Sequence, residues 1–320
     1  MPDPTVLDPA FATTRRAVHA APIMPSGATL LLPRGPGRVS EGGLRTRGWF
    51  KITGPDAPLV SVVTVVLNSR SLLEQTIRSV LAQTHDNIEY VVIDGGSSDG
   101  TVDIIREHDH AIDYWVSEPD QGISEAFNKG IGTATGEMVG ILNAGDWYTP
   151  SAVSQALKVR DRTDRFAIYH GCVAYCHEDG TFAFQASPDL MRIWRYMSVF
   201  HPTMLVEREV YQRVGLYSSA FRYAMDCELV HRALRAGVRF VLVPEVQTHM
   251  RLGGRSHRHF QRAFAEFRDS VILHGGARLP AYWRYATSTL KRAALRYRAG
   301  RRLKALRDRL RGKSTPLLIP

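Results

Sequence analysis

The sequence contains little cysteine, which limits the compartment, the disulfides and the metal sites that can be predicted for it. Three cysteines, Cys172, Cys176 and Cys227, occur among 320 residues. An odd and sparse set argues against a disulfide scaffold and favours a reducing compartment such as the cytoplasm. His170 and His177 flank the first two cysteines, but the spacing fits no common zinc-ligand pattern. We therefore interpret these thiols as core residues of a strand.

Long apolar runs are missing as well. No stretch approaches the length of about 18 apolar residues that a membrane-spanning helix needs, so none is predicted. Residues 1–57 are rich in Pro, Gly, Ala and Arg and lack a sustained apolar period. Pro22, Pro25 and Pro33 interrupt the best candidate for a secretory signal, so no signal is predicted. We interpret residues 1–57 as a partly ordered arm.

Strands and helices alternate from residue 60 onward. The run Ser61–Leu67 is nearly all β-branched and does not alternate, as expected for a central parallel strand that is covered on both faces. Apolar residues then recur at helical spacing as far as Leu81, and Ile88–Ile93 is predicted to form a second strand. Because ligands bind at the carboxyl ends of strands in open α/β sheets, Asn68 and Asp94 are predicted to meet at such an edge.

A carboxylate at that edge can accept hydrogen bonds from a nucleobase N–H group or from ribose hydroxyls. The alternative is that Asp94 only starts the turn before a helix that Asp99 caps. No phosphate-binding glycine loop follows the first strand, since residues 68–71 read Asn-Ser-Arg-Ser. The sequence therefore argues against a Rossmann dehydrogenase and against a P-loop enzyme.

Several separated blocks occur in the order typical of family-2 glycosyltransferases of the GT-A fold. They are the strand ends at Asn68 and Asp94, the stretch Asn143-Ala144-Gly145-Asp146 and the stretch Met225-Asp226-Cys227-Glu228-Leu229. The chain resembles this family over residues 58–256 and is closest to members that act in bacterial exopolysaccharide and lipopolysaccharide assembly. The resemblance implies an α/β GT-A domain with a mostly parallel sheet flanked by helices. A helical, basic C-terminal tail over residues 257–320 would follow it.

The resemblance also implies which residues hold a nucleotide-sugar donor. Residues after the first two strands would surround the nucleoside, and the loop over residues 118–122 with the helix behind it would close over the nucleotide. For the lysine on that helix, a solvated surface position is the alternative. The residues that the family pattern places around the nucleotide are Val65, Leu67, Asn68, Asp94, Asp120 and Lys129.

The resemblance further implies a divalent cation, Mg²⁺ or Mn²⁺. Such a cation bridges phosphate oxygens and stabilises the negative charge of the departing diphosphate. Family members usually carry Asp-Asp or Asp-x-Asp after this strand, but here the penultimate position is Gly145, which leaves Asp146 as the ligand. His249 is a second metal candidate. Arg251, in the same C-terminal block, would contact the diphosphate with its guanidinium fork.

Sugar transfer also needs a base for the acceptor hydroxyl, and a carboxylate within hydrogen-bond reach suffices because the leaving group is already activated. Asp226 matches the family block whose acid serves as base in inverting members, and Glu228 is the alternative. His201, in the stretch His201-Pro202-Thr203-Met204, resembles the segment that borders the acceptor pocket. A packed or solvated histidine is the alternative for that position.

Positive charge is concentrated near the C-terminus. Eleven Lys or Arg residues and one acid, Asp308, lie between Lys291 and Lys313, and the chain as a whole carries a formal net charge of +10. Apolar residues recur at near-helical spacing in this region, at Leu290, Ala294, Tyr297, Leu303, Leu306 and Leu310. A basic amphipathic helix is typical of binding to an anionic membrane surface. A helix packed on the domain is the alternative, and nucleic acid is not the predicted partner.

Together these patterns predict an inverting glycosyltransferase that moves a sugar from a nucleotide-diphosphate donor to a lipid-linked or polysaccharide acceptor in cell-surface glycan biosynthesis. It would be cytoplasmic and peripheral to the inner face of the cell membrane. Two other functions stay open: a non-catalytic sugar-nucleotide-binding scaffold of a polysaccharide assembly complex, and a nucleotidyltransferase. Gly145 keeps the scaffold open, whereas the missing glycine-rich, lysine-bearing loop argues against the nucleotidyltransferase.

Overall fold

A computed structural model describes residues 17–19, 22, 24, 25, 27–254 and 259–296 of the protein. This part of the chain forms a ten-stranded mixed sheet with helices on both faces. The strands are β1 (Ser40–Gly42), β2 (Val60–Val66), β3 (Ile88–Asp94), β4 (Tyr114–Ser117), β5 (Met138–Asn143), β6 (Trp147–Tyr148), β7 (Ala167–Cys176), β8 (Phe182–Ala186), β9 (Leu205–Glu207) and β10 (Arg239–Arg251). The α-helices are α1 (Arg70–Leu81), α2 (Thr101–Glu107), α3 (Ile123–Thr133), α4 (Ala152–Lys158), α5 (Arg208–Val214), α6 (Met225–Arg235), α7 (Phe260–Leu273) and α8 (Arg278–Arg296).

The first half of the sheet is parallel. Strands β4, β3, β2 and β5 are neighbours in that order and pair in parallel. Every residue of β2 is buried, and its valines point alternately to two cores: Val63 packs with α3 and Val62 packs with α1. Gly130 lets α3 lie close to the sheet, since a Cβ there would lie 2.1 Å from Val63 Cγ1. The β-branched run therefore forms a central strand that is covered on both faces.

The second half of the sheet adds short antiparallel strands to the mostly parallel arrangement that the sequence predicts. Strand β9 is antiparallel to both β5 and β7, β8 and β6 pair antiparallel with their neighbours, and only β10 and β7 are parallel. Strands β9 and β6 have three and two residues. Such short segments carry no hydrophobic period from which their direction could be predicted.

Strand β10 is longer than its apolar pattern indicates. The sequence predicts a strand from Arg239 that ends at Pro244, but the strand continues to Arg251 beside β7 with register shifts after Val243 and after Val246. Proline is tolerated in a strand at such bulges because the ladder is already interrupted there. His249 and Arg251, which family resemblance places in a loop, consequently lie on a strand next to the sheet edge.

Part of the N-terminal segment belongs to the sheet. β1 pairs antiparallel with β4, and a short 3-10 helix follows at Leu44–Arg47. Lys51 is buried and its Nζ lies 2.7 Å from Asp113 Oδ2. Sequence patterns did not predict this edge strand, because its apolar content is low.

Helices α7 and α8 pack on each other, and α7 also packs on α6. Within the described residues, no helix is both long and apolar enough to cross a membrane. Most of the predicted basic segment, including Tyr297, Leu303, Leu306 and Leu310, lies outside the described residues.

Candidate active site

The loop after β5 is held in one conformation by α1. Thr76 Oγ1 accepts a hydrogen bond from the Gly145 amide at 3.0 Å and donates one to the Asp146 carbonyl at 2.7 Å. Gly145 has a φ of 102°, in the left-handed region that strains other residues. The acid that the family usually carries at this position would therefore be strained in this loop, which gives a backbone reason for the glycine.

Asp146 is a buried carboxylate whose negative charge is little compensated by its surroundings. Its Oδ1 accepts a hydrogen bond from the Arg251 amide at 3.2 Å. Burial raises the pKa of the Asp146 carboxyl to about 7, against the opposing effects of His201 and Arg251. A bound cation would favour the ionised form and supply the charge that the surroundings lack.

His201 joins the end of β5 to the start of α6. Its Nε2 lies 3.0 Å from Asn143 Nδ2, and its Nδ1 lies 3.5 Å from Asp226 Oδ2. Burial acts to raise the pKa of the Asp226 carboxyl, but the hydrogen bond and charge of His201 and the amide of Cys227 hold that pKa below its ordinary value. Asp226 is therefore ionised at neutral pH and able to accept a proton.

A cavity of about 530 Å³ opens next to this pair and is lined by both His201 and Asp226. One fifth of the Asp226 side chain is exposed, so the carboxylate can be reached from the cavity. Glu228 does not line the cavity. Its carboxylate pairs with Arg232 Nε at 2.8 Å and His274 Nε2 at 3.1 Å. Residues two apart on a helix lie about 200° apart around its axis, so only one of the two acids of α6 can face the cavity.

Glu266 of α7 holds the start of α6. Its Oε2 accepts backbone hydrogen bonds from Arg222 at 2.9 Å, Tyr223 at 2.6 Å and Ala224 at 2.9 Å, directly before Asp226. A carboxylate at a helix N-terminus satisfies unpaired amides and interacts favourably with the helix dipole. The position of Asp226 therefore depends on a helix that follows it by some 40 residues in the chain.

Arg251 lies beside the Asp146 loop. Its Nη2 donates to Gln75 Oε1 at 2.7 Å, its Nη1 donates to the Glu178 carbonyl, and its Cζ lies 5.1 Å from the Trp147 ring centre. The Nε atom is buried and has no partner among the residues that the structure describes. An unsatisfied guanidinium donor next to a buried acid is suited to a phosphate oxygen.

His249 of β10 stacks on Trp147, its partner in the neighbouring strand β6. Its ring lies 5.0 Å from the Trp147 ring with an interplanar angle of 6°, and its Nδ1 lies 3.8 Å from Cys176 Sγ. Burial lowers the pKa of His249, which favours the neutral imidazole that metals bind. Its predicted role as a metal ligand stays a prediction.

The loops after β2, β3 and β4 meet at the carboxyl edge of the sheet, as the pattern predicts. Asp94 is fully buried and accepts hydrogen bonds from the amides of Gly96 and Ser97 and from the hydroxyls of Ser97 and Ser117. Asn68 has a φ of 50° and its Oδ1 accepts from the Ser98 amide at 2.9 Å. In this structure both side chains shape the loops, and their contact with a nucleoside stays a prediction.

The remaining predicted donor residues surround the same edge. Val65 is buried in β2, and Leu67 follows it and lies against Gly95. A Cβ on Gly95 would lie 2.5 Å from Asp120 Oδ2, which brings the loop after β4 against the loop after β3. Lys129 pairs with Glu118 at 2.9 Å and with Glu125 at 3.2 Å. These ion pairs favour a structural role for the lysine.

The site residues fit a divalent cation of the Mg²⁺ or Mn²⁺ type. No group of three or more His, Cys, Asp and Glu side chains that could hold a metal occurs in the described part of the chain. Within the described part of the chain, however, Asn143 Oδ1 is buried without a partner, and the Asp146 carboxylate accepts a hydrogen bond from the Arg251 amide. Carboxylate and amide oxygens are the ligands that these cations prefer, and phosphate oxygens and water usually complete the shell.

Sequence reasoning missed three residues that shape the site. Asn143 could have been found, because it ends the strand that precedes the Asp146 loop. Thr76 and Glu266 carry no sequence signal, since their partners are backbone atoms of distant segments.

Comparisons with known proteins agree with this architecture. The family model of glycosyl transferase family 2 matches residues 61–221, half of the chain. An uncharacterized glycosyltransferase of Mycobacterium tuberculosis is 40% identical over 104 residues, which cover 32% of this chain and 40% of that protein. The putative teichuronic acid biosynthesis glycosyltransferase TuaG of Bacillus subtilis is 35% identical over 104 residues, which cover 32% of this chain and 41% of TuaG. The chain thus spans about two fifths of the length of these curated relatives.

Among solved structures, the mannosyltransferase PcManGT of Pyrobaculum calidifontis, in complex with GDP-Man and Mn²⁺, superposes with a TM-score of 0.54. The two sequences are 21% identical, and the superposition covers 81% of each chain. At this identity the likeness shows the fold alone. It confirms the GT-A fold predicted from the sequence.

Proposed function

The chain belongs to glycosyl transferase family 2 and is a glycosyltransferase, and from this premise we propose that it transfers a sugar, with inversion, from a nucleoside-diphosphate donor to the hydroxyl of a lipid-linked or polysaccharide acceptor. The observation that carries the proposal is the placement of Asp226. Its ionised carboxylate is held by His201 and lines a cavity large enough for an acceptor. Ligand sites usually have volumes of roughly 300–1,000 Å³.

The donor binds at the carboxyl edge of the parallel half of the sheet. The nucleoside lies against the loops of Asn68, Asp94 and Asp120, and the diphosphate extends towards Asp146 and Arg251. The unpaired Nε of Arg251 donates to a phosphate oxygen. A divalent cation bound by Asp146 and Asn143 would neutralise the charge that develops on the diphosphate.

The transfer is a single displacement. Asp226 accepts the proton of the acceptor hydroxyl, and the hydroxyl oxygen forms a bond to the anomeric carbon of the donor sugar. The bond between that carbon and the diphosphate breaks, and the nucleoside diphosphate leaves with the electron pair. His201 orients the carboxylate and stabilises its charge before the proton arrives. One base acting opposite the leaving group inverts the anomeric centre.

Surface-glycan assembly is the proposed setting. The curated name of TuaG refers to teichuronic acid biosynthesis, which supports a role of this kind. All three cysteines are free and buried, which is consistent with a reducing cytoplasm. The concentration of positive charge between Lys291 and Lys313 supports a peripheral position at an anionic membrane surface.

A screen of nucleotide sugars tests the proposal. The melting temperature of the full chain is measured with UDP- and GDP-sugars, with and without Mn²⁺, because a ligand at 100 times its Kd stabilises the folded state by about 2.7 kcal/mol. The stabilising donor is then assayed for slow hydrolysis. Hydrolysis that Asp226→Asn abolishes identifies a catalyst, whereas donor binding without any turnover would leave the non-catalytic scaffold.

A further inference from the structure

The N-terminal arm lies against residues 118–122, the nucleotide loop, which the proposed function places beside the nucleoside. Arm residues 27–57 precede the segment that the family model matches, which begins at residue 61. Strand β1 of the arm pairs with β4, and the amide of Val39 donates to the Ser117 carbonyl at 2.8 Å. The arm therefore joins the sheet beside the strand from which the nucleotide loop begins.

Two glycines allow the arm to lie close to the nucleotide loop. A Cβ on Gly35 would lie 2.9 Å from Glu118 Oε2, and a Cβ on Gly37 would lie 3.3 Å from Pro119 Cδ. Gly37 also has a φ of 76°, in the left-handed region that glycine adopts without strain. Because neither position carries a side chain, the arm and the loop are in direct contact.

Arg38 connects the arm to the nucleotide loop. Its Nε donates to Glu118 Oε2 at 2.8 Å, and both side chains are 6% exposed. Its Nη1 donates to the Leu32 carbonyl at 3.2 Å and its Nη2 donates to the Pro33 carbonyl at 2.7 Å, so the arm folds around the guanidinium. Glu41 Oε2 accepts a further hydrogen bond from Nη1 at 3.0 Å. One side chain thus ties the arm to the loop, with the planar set of donors that arginine provides.

Helix α3 holds the same carboxylate from the other side. Lys129 Nζ lies 2.9 Å from Glu118 Oε1 and donates to the Pro119 carbonyl at 3.4 Å. Burial acts to raise the pKa of the Glu118 carboxyl, but the hydrogen bonds of Lys129 and Arg38 hold that pKa below its ordinary value. The ionised Glu118 therefore fixes the first residue of the nucleotide loop between the arm and α3.

We propose that Arg38 is a positioning residue for donor binding, which holds the nucleotide loop through Glu118 in the conformation that receives the nucleoside. The inference rests on the proposed donor site at Asn68, Asp94 and Asp120, and it adds the N-terminal arm to that site. A loop that is already ordered does not have to be ordered by the ligand, so the nucleotide binds more tightly. Arg38 takes no part in the displacement itself.

Arg38→Gln tests this role in the full chain. Calorimetry with UDP or GDP, whichever the wild type binds with Mn²⁺, should show a Kd about tenfold higher, because a hydrogen bond to a charged group is lost. A saturating nucleotide sugar orders the loop, so kcat should stay within about twofold of the wild type and the effect should appear in KM. A fall in kcat with an unchanged KM would overturn the proposal.

Arg47→Gln is the matched control on the arm. Arg47 Nη1 pairs with Asp109 Oδ2 at 2.7 Å, and neither residue belongs to the nucleotide loop. Loss of this pair should leave Kd and KM unchanged. Both variants should keep a cooperative melting transition, because Lys51 of the arm still pairs with Asp113. An equal rise of Kd in the two variants would indicate a general loosening of the arm and would contradict a specific role of Arg38.

Hydrogen exchange locates the effect in the chain. The amide of Gln121, within the nucleotide loop, donates to Glu125 Oε2 at 2.6 Å. The amides of the loop should exchange faster in Arg38→Gln than in the wild type or in Arg47→Gln, and saturating nucleotide should reduce the difference. Equal exchange of the loop in the three proteins would show that Arg38 does not hold it.

Glu118→Ala shows whether Arg38 acts through Glu118. In a chain that carries Glu118→Ala, adding Arg38→Gln should change the Kd by less than about twofold, because the contact is already absent. A further loss of about tenfold in that background would contradict the route through Glu118. Equal nucleotide binding by the wild type and Arg38→Gln would reject the role of Arg38 and leave the proposed transfer intact. Weaker nucleotide binding by Arg38→Gln, together with no turnover by the wild type, would support the role of Arg38 and reject the proposed transfer alone.

Discussion

The carboxylate of Asp226 is the side chain on which the proposed chemistry depends. Asp226→Asn keeps the size and most of the hydrogen bonding but cannot accept a proton. Turnover should fall by about 10²–10⁴-fold while donor affinity changes little. Steady-state kinetics and nucleotide calorimetry measure the two quantities separately.

Glu228→Gln is the matched control on the same helix. The glutamine loses the ion pairs with Arg232 and His274, so the free energy of unfolding should fall by about 1–3 kcal/mol, with turnover largely kept. If Glu228→Gln reduced turnover as strongly as Asp226→Asn, the base would have to be reassigned.

The pH dependence of turnover should report the contact between Asp226 and His201. The carboxylate is the active form, so activity is lost as pH falls through its folded-state pKa. Since that pKa is lowered, the acid limb should lie below the ordinary aspartate value of about 3.9. In His201→Gln, burial acts without the hydrogen bond and charge of His201, so the limb should move to higher pH. A pH profile of kcat that is the same in both proteins would show that His201 does not set this pKa.

Asp94 and Asp146 should affect different parts of donor binding. Asp146→Ala should remove the enhancement of nucleotide-diphosphate binding by Mn²⁺. Asp94→Ala should weaken binding with and without the metal, because four hydrogen bonds to the loops after β3 and β4 are lost. Calorimetry with and without EDTA measures both. Equal Mn²⁺ enhancement in wild type and Asp146→Ala would refute the metal assignment.

Single residues differ in how far the sequence predicts them. Asp226 and Asp146 follow recognisable elements, so the order of the blocks is enough to find them. Their partners are set by tertiary contacts. His201 reaches Asp226 from a separate 3-10 turn. Glu228 faces away from the cavity because of its angular position on α6. No local pattern encodes either relation.

Among the helices, α7 supports α6, which carries the proposed base Asp226. Glu266 satisfies three backbone amides before α6, so Glu266→Gln should shift Asp226 and lower kcat with little change in nucleotide affinity. Asp269→Asn, an exposed acid on the same helix, is the control and should leave kcat unchanged. The pH profile adds a readout that general destabilisation does not move: the acid limb should shift in Glu266→Gln alone. An unchanged limb and kcat would reduce Glu266 to a structural role.

The elements of the parallel half were predictable, whereas those of the other half were not. β2, α1 and β3 are long segments with clear apolar periods, and their predicted bounds agree with the structure within a residue or two at most ends. β1 and β9 each have three residues. β1 depends on its pairing with β4, and β9 depends on its pairing with β5 and β7. Short strands of this kind are stabilised by their neighbours, so their own sequence does not identify them.

The molecule as a whole brings two surfaces together at one centre. The loops after β2 to β5 form the proposed donor side, and α6, α7 and α8 form walls of the cavity. Asn143, at the end of β5, contacts His201. His201 in turn contacts Asp226 of α6. The proposed reaction therefore takes place where the parallel half of the sheet meets the C-terminal helices.

The distribution of charge over the chain leads to the last prediction. A chain that ends at Arg296 keeps every described residue of the cavity but loses eight of the eleven basic residues between Lys291 and Lys313. Binding to vesicles that contain phosphatidylglycerol should weaken, since each basic residue near an anionic surface contributes about 1 kcal/mol. Turnover on a water-soluble acceptor should persist. In the full chain, vesicle binding should also weaken as salt rises, because charges are screened beyond about 8 Å at physiological ionic strength. Equal co-sedimentation of the two chains would show that the basic segment does not hold the enzyme at the membrane, and would leave the exposed face of α8 at Leu279 and Trp283 as the contact.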